Sequence, residues 1–190
     1  MSHSDELLRE TLLDLERLRQ HEAEQRRETE WILNGLRALD QANSIDQMFA
    51  EVFAALAQVM GNEQALILQR RDDMLVPLRT TDPALLRTEW SPQTMLNRVL
   101  AGEIVASFDV ATIPEWQTQP AAVRERVVSA LHAPLLLDDH PALLVCTHSA
   151  RGAFSRRQVG LLRRFLPLLQ QALVNARARE QALRERDLRH

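Results

Sequence analysis

Three histidines crowd one stretch of this sequence, His132, His140 and His148, and its single cysteine, Cys146, falls between the last two. Imidazole and thiolate are the commonest protein ligands for zinc and haem iron, so the set raises the question of a metal site. Its spacing answers against one, because no His, Cys or Asp pair has the short separation of known metal motifs. His140 sits in an expected turn and His148 at the end of an expected strand. His132 alternates with Ala130, Pro134 and Leu136 on one strand face, which predicts a hydrogen-bonded core histidine over one that touches a ligand. Cys146 lies mid-strand among apolar residues and reads as a small buried hydrophobe. Asp138 and Asp139 read as turn residues, not as a carboxylate dyad. No serine stands in a nucleophile elbow. With 5 glycines in all, a phosphate-cradling loop is hard to build. The expectation is no catalytic residue, no metal and no cofactor.

The elements that hold these residues follow from patterning. At 190 residues and 45% hydrophobic, the chain supports one packed domain with extra helix. A net charge of -3 argues against a general nucleic-acid or membrane-surface binder. Arg17, Arg19, Arg26 and Arg27 are interleaved with Glu16, Glu22, Glu24 and Glu28, so no basic stripe forms. Met1-Ser2-His3-Ser4-Asp5 is no signal peptide, and a lone cysteine suits a reducing compartment; a cytoplasmic location is expected.

From Asp5 to about Leu39, Leu8, Leu15, Glu22, Thr29 and Leu36 recur every seven residues, with Thr11, Leu18, Gln25, Ile32 and Leu39 between them. That is a heptad seam, polar in its middle. Two readings stay open: a solvated amphipathic helix, or a parallel homodimer helix with an adjustable centre. A second helix is expected from Ser44, with Gln47 completing a capping box, to Met60, where Gly61-Asn62 stops it. Gln64–Gln69 reads as a central strand and Met74–Arg79 as an edge strand that tolerates Pro77. Ser91-Pro92 predicts the start of a short helix closed by Gly102. Ile104–Asp109 is a further strand, and Ala121–Val127 a short helix after an irregular stretch. Ser129–Leu137 and Ala142–His148 are strands about a turn of Asp138, Asp139, His140 and Pro141. Ser155 caps a last helix that runs to near the end, with Pro167 expected to bend or break it. It carries Leu162, Leu169, Ala176 and Leu183 at one heptad position and Phe165, Ala172, Arg179 and Arg186 at the other.

This order is an α+β domain around one antiparallel sheet, and it resembles the GAF domain, most closely from Gly102 to Leu173. The resemblance rests on Gly102-Glu103-Ile104-Val105 with Phe108-Asp109-Val110, Trp116 after a proline, Ser129-Ala130-Leu131 through Pro134-Leu135, Ala142-Leu143-Leu144-Val145, and Gly152-Ala153-Phe154-Ser155. It implies a GAF-like sheet with helices on both faces, flanked by coiled-coil signalling helices. The expected divisions are 1–40, 41–173 and 174–190. Such modules serve histidine kinases and diguanylate cyclases, but no output signature is present. The output domain is therefore expected after His190 or on a partner signalling protein. The cysteine arrangement of bilin-binding members, the Asn-Lys-Phe-Asp-Glu pattern of nucleotide-binding members and the several cysteines of redox-active members are missing.

The resemblance also implies a pocket between the sheet and a cover formed by Trp90–Ala101 and Phe108–Val127. Its candidate lining is Met95, Val99, Phe108, Asp109, Ile113, Trp116, Val123, Arg126 and His132, with Arg124 a further polar group. The lining would suit a small apolar or mixed ligand; alternatively the same residues pack a second core and no ligand exists. The expected dimer seam is Leu8, Leu15, Leu18, Ile32, Leu36, Leu162, Phe165, Leu169 and Ala176. The functional expectation is a dimeric, non-enzymatic sensor that relays a signal through its helices, the alternative being a ligand-free adaptor.

Overall fold

Alternation along the strands decides the architecture. In β1 (Gln64–Arg71), Ala65 and Ile67 point to one face and Leu66 and Leu68 to the other, and all four are buried. β4 (Ser129–Leu137) and β5 (His140–His148) are also buried on both faces. Such a sheet requires cover on each side. The computed structural model describes residues 3–189, apart from the side chains of Trp31, Leu36 and Ala38. It provides both covers. The sheet is antiparallel, in the order β2-β1-β5-β4-β3, with β2 at Met74–Thr80 and β3 at Val105–Ser107.

One face packs against α1 (His3–Asp40), α2 (Ile45–Met60) and α6 (Arg156–Asp187). The other packs against α3 (Thr94–Leu100), α4 (Pro114–Gln117), α5 (Ala121–Arg124) and the single turns Pro83–Arg87 and Val110–Thr112. Leu131, Ala133, Leu144 and Cys146 serve the first core, and Ala130, Leu143 and Val145 the second. No helix of the described residues is long and apolar enough to cross a membrane.

Local chemistry explains most boundaries. Ser44 Oγ accepts from Gln47 N at 3.1 Å, and Gly61 closes α2 in the left-handed region at φ 65°. Pro77 lies in edge strand β2, where a bulge leaves Leu78 as the extra residue opposite Ile67 and Leu68. The β4–β5 turn is tighter than expected. Asp138 and Asp139 alone make it, with φ 51° and 64°, the signs of a primed two-residue hairpin turn. His140 and Pro141 therefore belong to β5. Where β3 ends, the Gln170 side chain takes over as strand partner. It accepts from Leu136 N at 2.8 Å and donates to Leu136 O at 2.7 Å.

Helix α6 corrects the expected dimer seam. It runs unbroken through Pro167, behind a capping box of Ser155 and Gln158. Leu162, Phe165, Leu169 and Ala176 are all buried in this chain's own core, as is Ile32 of α1. A core stripe and a heptad seam share the same spacing, and here the sheet and α2 occupy the stripe. The core takes in Leu39 and Ala176, so the expected divisions at 40 and 173 fall within or beside packed helix. Leu36 has its side chain outside the described residues. Leu8, Leu15 and Leu18, by contrast, stand 63%, 52% and 60% exposed, and residues 3–27 of α1 are exposed throughout.

The two long helices run parallel. Glu28 pairs with Arg157 at 2.7 Å and Arg164 at 3.1 Å near the start of α6. Further along both helices, Arg179 donates to the main-chain oxygens of Asp40 and Ala42. At 1.5 Å per residue α1 is about 57 Å long. Its first half therefore projects beyond the domain at one end, and the last turns of α6 leave at the other.

Candidate functional site

The helical cover of the second face is built around two tryptophans. Trp90 and Trp116 meet edge to face, with ring centroids 4.7 Å apart and planes at 85°. Trp116 Nε1 donates to His132 Nε2 at 3.0 Å, and His132 Nδ1 lies 3.0 Å from Val105 O on β3. An indole nitrogen can only donate, so Nε2 accepts and Nδ1 carries the proton given to Val105. His132 is thus a neutral, satisfied core histidine that ties α4 to β4 and β3. Burial lowers its pKa from 6.5 to about 4, against the opposing pull of the Val105 hydrogen bond.

A value lowered on folding means that acid favours the unfolded state. The His132 contribution is intact above about pH 6.5. As pH falls toward 4, this contribution drops by up to about 1.4 kcal/mol per pH unit. His132→Gln removes that share of the slope and leaves the acid-side loss from Glu63 and Asp138, whose pKa values are also lowered. Urea unfolding of the two chains across that window measures the difference; parallel curves would contradict the assignment.

Glu115, one residue before Trp116, was not anticipated. The expected Ser91 cap does not form. Helix α3 begins instead at Thr94, and Gln93 makes no side-chain cap. The buried Glu115 carboxylate replaces it, accepting through Oε2 from Gln93 N at 3.2 Å and Leu96 N at 2.6 Å. An acidic residue at the first turn of a short helix reads in sequence as a surface group that suits the helix dipole. Nothing local signals a cap supplied to another helix.

The expected pocket residues divide. Met95, Val99, Trp116, Val123 and His132 are buried together, with Ile113 packed partly against them. The space between sheet and cover is occupied by these side chains and Trp90. Phe108 is 70% exposed and lies outside that space. Its ring covers Gly152, where a Cβ would meet it at 2.4 Å, and its main-chain oxygen accepts from Gly152 N at 2.9 Å. Arg126 is held by Asp82 at 2.7 Å and by Ala122 O at 3.1 Å, away from the cover interior.

An open cleft of about 510 Å³ lies at the outer margin of the cover. Val110, Trp116 and Val127 supply apolar lining, while Asp109, Gln117, Arg124 and Arg151 supply polar groups. Asp109 Oδ1 accepts from Ala111 N at 2.9 Å, and Oδ2 pairs with Arg151 Nε at 3.0 Å. Asp109, Trp116 and Arg124 were expected near a ligand; Arg151 was not, because it reads as an ordinary turn arginine.

The histidines do not converge. In the β4–β5 ladder, His132 faces Val145, His140 faces Leu137 and His148 faces Ser129. Among the described residues, no group of three or more His, Cys, Asp or Glu side chains could hold a metal ion. Cys146 is fully buried, and desolvation pushes its thiol up to about 12.

No protein-family model matches the sequence, and no curated protein is significantly similar to it. Solved structures do resemble it. The GAF domain of a phosphoenolpyruvate-protein phosphotransferase (ptsP) from Coxiella burnetii aligns at TM-score 0.66 and 13% identity, over 80% of this chain and 95% of that one. Free methionine-R-sulfoxide reductase from Neisseria meningitidis, in complex with its substrate, aligns at TM-score 0.63 and 16% identity, over 80% and 90%. The GAF domain of the cyanobacteriochrome TePixJ aligns at TM-score 0.56 and 13% identity, over 74% and 94%.

Proposed function

The chain has the GAF fold, and on that premise we propose that it is a dimeric, non-enzymatic sensory module. It passes a small-molecule or partner signal through α1 and α6 to an output domain or partner protein outside these 190 residues. The observation that carries this reading is the divided character of α1. Its second half is packed into the domain at Ile32 and Leu39, while Leu7, Leu8, Leu12, Leu15 and Leu18 remain exposed. A run of exposed leucines on a projecting helix favours a second copy of the same helix.

Charge selects the orientation. With Leu8 and Leu15 at one seam position and Leu18 at the other, Asp14 and Arg19 flank the seam. In a parallel pair, Asp14 of one chain faces Arg19 of the partner subunit; an antiparallel pair loses this match. Asp14→Arg alone should weaken the dimer about tenfold, and adding Arg19→Asp should restore it. Sedimentation equilibrium over a concentration series reads both. A double variant no tighter than the single one removes the parallel seam.

The reductase likeness supports no thiol chemistry here, because the single cysteine is buried with its pKa raised and thiolate is the reactive form. A second reading has an observation of its own. The space between sheet and cover is filled by Trp90, Trp116 and their neighbours, as in a ligand-free adaptor that only dimerises and docks a partner. The two readings separate at the margin of the cover, where a ligand would have to bind.

A further inference from the structure

We infer that the cleft between α4, α5 and the 149–155 loop binds a small organic anion, with an apolar or aromatic body and one carboxylate, sulfonate or phosphate group. This rests on the sensory reading and names the class of molecule sensed. The cleft is the right size, since small-molecule sites span about 300–1,000 Å³ and this one holds about 510 Å³. Its apolar lining is firm: Val110, Trp116 and Val127 are buried residues anchored in the second core.

The rim decides the sign of the ligand. Both Asp109 oxygens are engaged, one by Ala111 N and the other by Arg151. Ala111 O is engaged by Gln117 Nε2 at 2.6 Å. Arg151 meets Asp109 through Nε, so the outer nitrogens of its guanidinium remain for a ligand. Among the described residues, the Arg124 side chain makes no hydrogen bond or ion pair. The rim therefore carries two guanidinium groups against one carboxylate: Arg151 and Asp109 balance each other, and the unpaired Arg124 leaves the cleft with a net positive charge. Planar guanidinium forks recognise carboxylate, sulfonate and phosphate oxygens well, with hydrogen bonds strengthened by charge.

The position also suits a sensor. Arg124 ends α5, while Arg151 belongs to the loop that leads directly into Ser155, the cap of α6. An anion bridging the two arginines would join the cover to the start of the exit helix. Arg126, two residues beyond Arg124, is bound to Asp82 and takes no part.

Two fluorescent probes with one aromatic body test the inference on the full chain: anilinonaphthalene sulfonate and the uncharged N-phenylnaphthylamine. The sulfonate should bind saturably and lose about tenfold in affinity in Arg124→Ala and in Arg151→Ala. Arg126→Ala should leave it unchanged, and the uncharged probe should ignore all three substitutions. Both arginines lie at the surface, and a thermal melt of each variant checks that the fold is intact. Sulfonate affinity indifferent to Arg124 and Arg151 overturns the inference. Equal losses for both probes overturn the anion preference but leave a ligand cleft, and with it the sensory reading.

Discussion

Trp116→Ala lowers the stability of this chain by about 4 kcal/mol, the largest single-residue effect expected here. The side chain is 1% exposed and meets Trp90 edge to face. Removing so large a buried ring costs about 3–5 kcal/mol, from lost transfer energy and the cavity left behind. It also removes the donor to His132 Nε2, and a buried acceptor left unpaired costs about 1–3 kcal/mol when it cannot relax. Trp116→Phe keeps an aromatic ring but not the N–H, and should lose about 2 kcal/mol. Equilibrium urea unfolding reads both values. The alanine variant should also shrink the acid-side stability slope, because a cavity that admits water relieves the desolvation of His132. A loss below about 1 kcal/mol would mean that the cover is not organised around this residue.

The lone histidine on an apolar strand face shows what sequence carries well. His132 alternates with its neighbours at the strand period, and a histidine there is either satisfied or costly, so its core role could be read. The central strands, the α2 and α6 caps and the edge proline at 77 were legible for the same reason: each depends on chemistry within a few residues. What escaped depends on distance. Glu115 caps a helix whose N-cap residue, Gln93, lies 22 residues earlier. Gln170 completes the edge of a strand 34 residues away. Phe108 has the composition of a pocket residue, but the backbone turns it onto Gly152 and out to solvent. The α6 stripe misled for a deeper reason. Leu162, Phe165, Leu169 and Ala176 have the same spacing whether they face a second copy or their own sheet, and periodicity cannot tell the two apart. On α1 the ambiguity persists to residue level, with Ile32 and Leu39 facing inward and Leu8, Leu15 and Leu18 outward.

Filling the polar middle of α1 has the second large effect. Glu22, Gln25 and Thr29 continue the stripe between the exposed leucines and the packed residues, beside the level where Glu28 meets Arg157 and Arg164. All three are exposed in the single chain. In the proposed dimer they lie where the stripe changes partner, from the second copy to the chain's own domain. A polar seam there leaves more than one packing within reach, which is what a relay between two states requires. Replacing all three with leucine extends the apolar seam. A buried leucine contributes about 1.5–3 kcal/mol, so the dimer should tighten by at least about a hundredfold and settle into one packing.

The exit helix reports whether that change travels. Leu183 is partly exposed near the end of α6, and Leu183→Cys offers one site for a spin label. Cys146 will not compete, since its thiol is buried and its pKa pushed up to about 12. Pulsed dipolar spectroscopy then measures the distance between the two labels of a dimer, with the natural seam and with Leu at 22, 25 and 29. A relay through α6 gives a dipolar signal in both and a distance that shifts when the seam is filled. The same distance in both chains, or no dipolar signal at all, would contradict it.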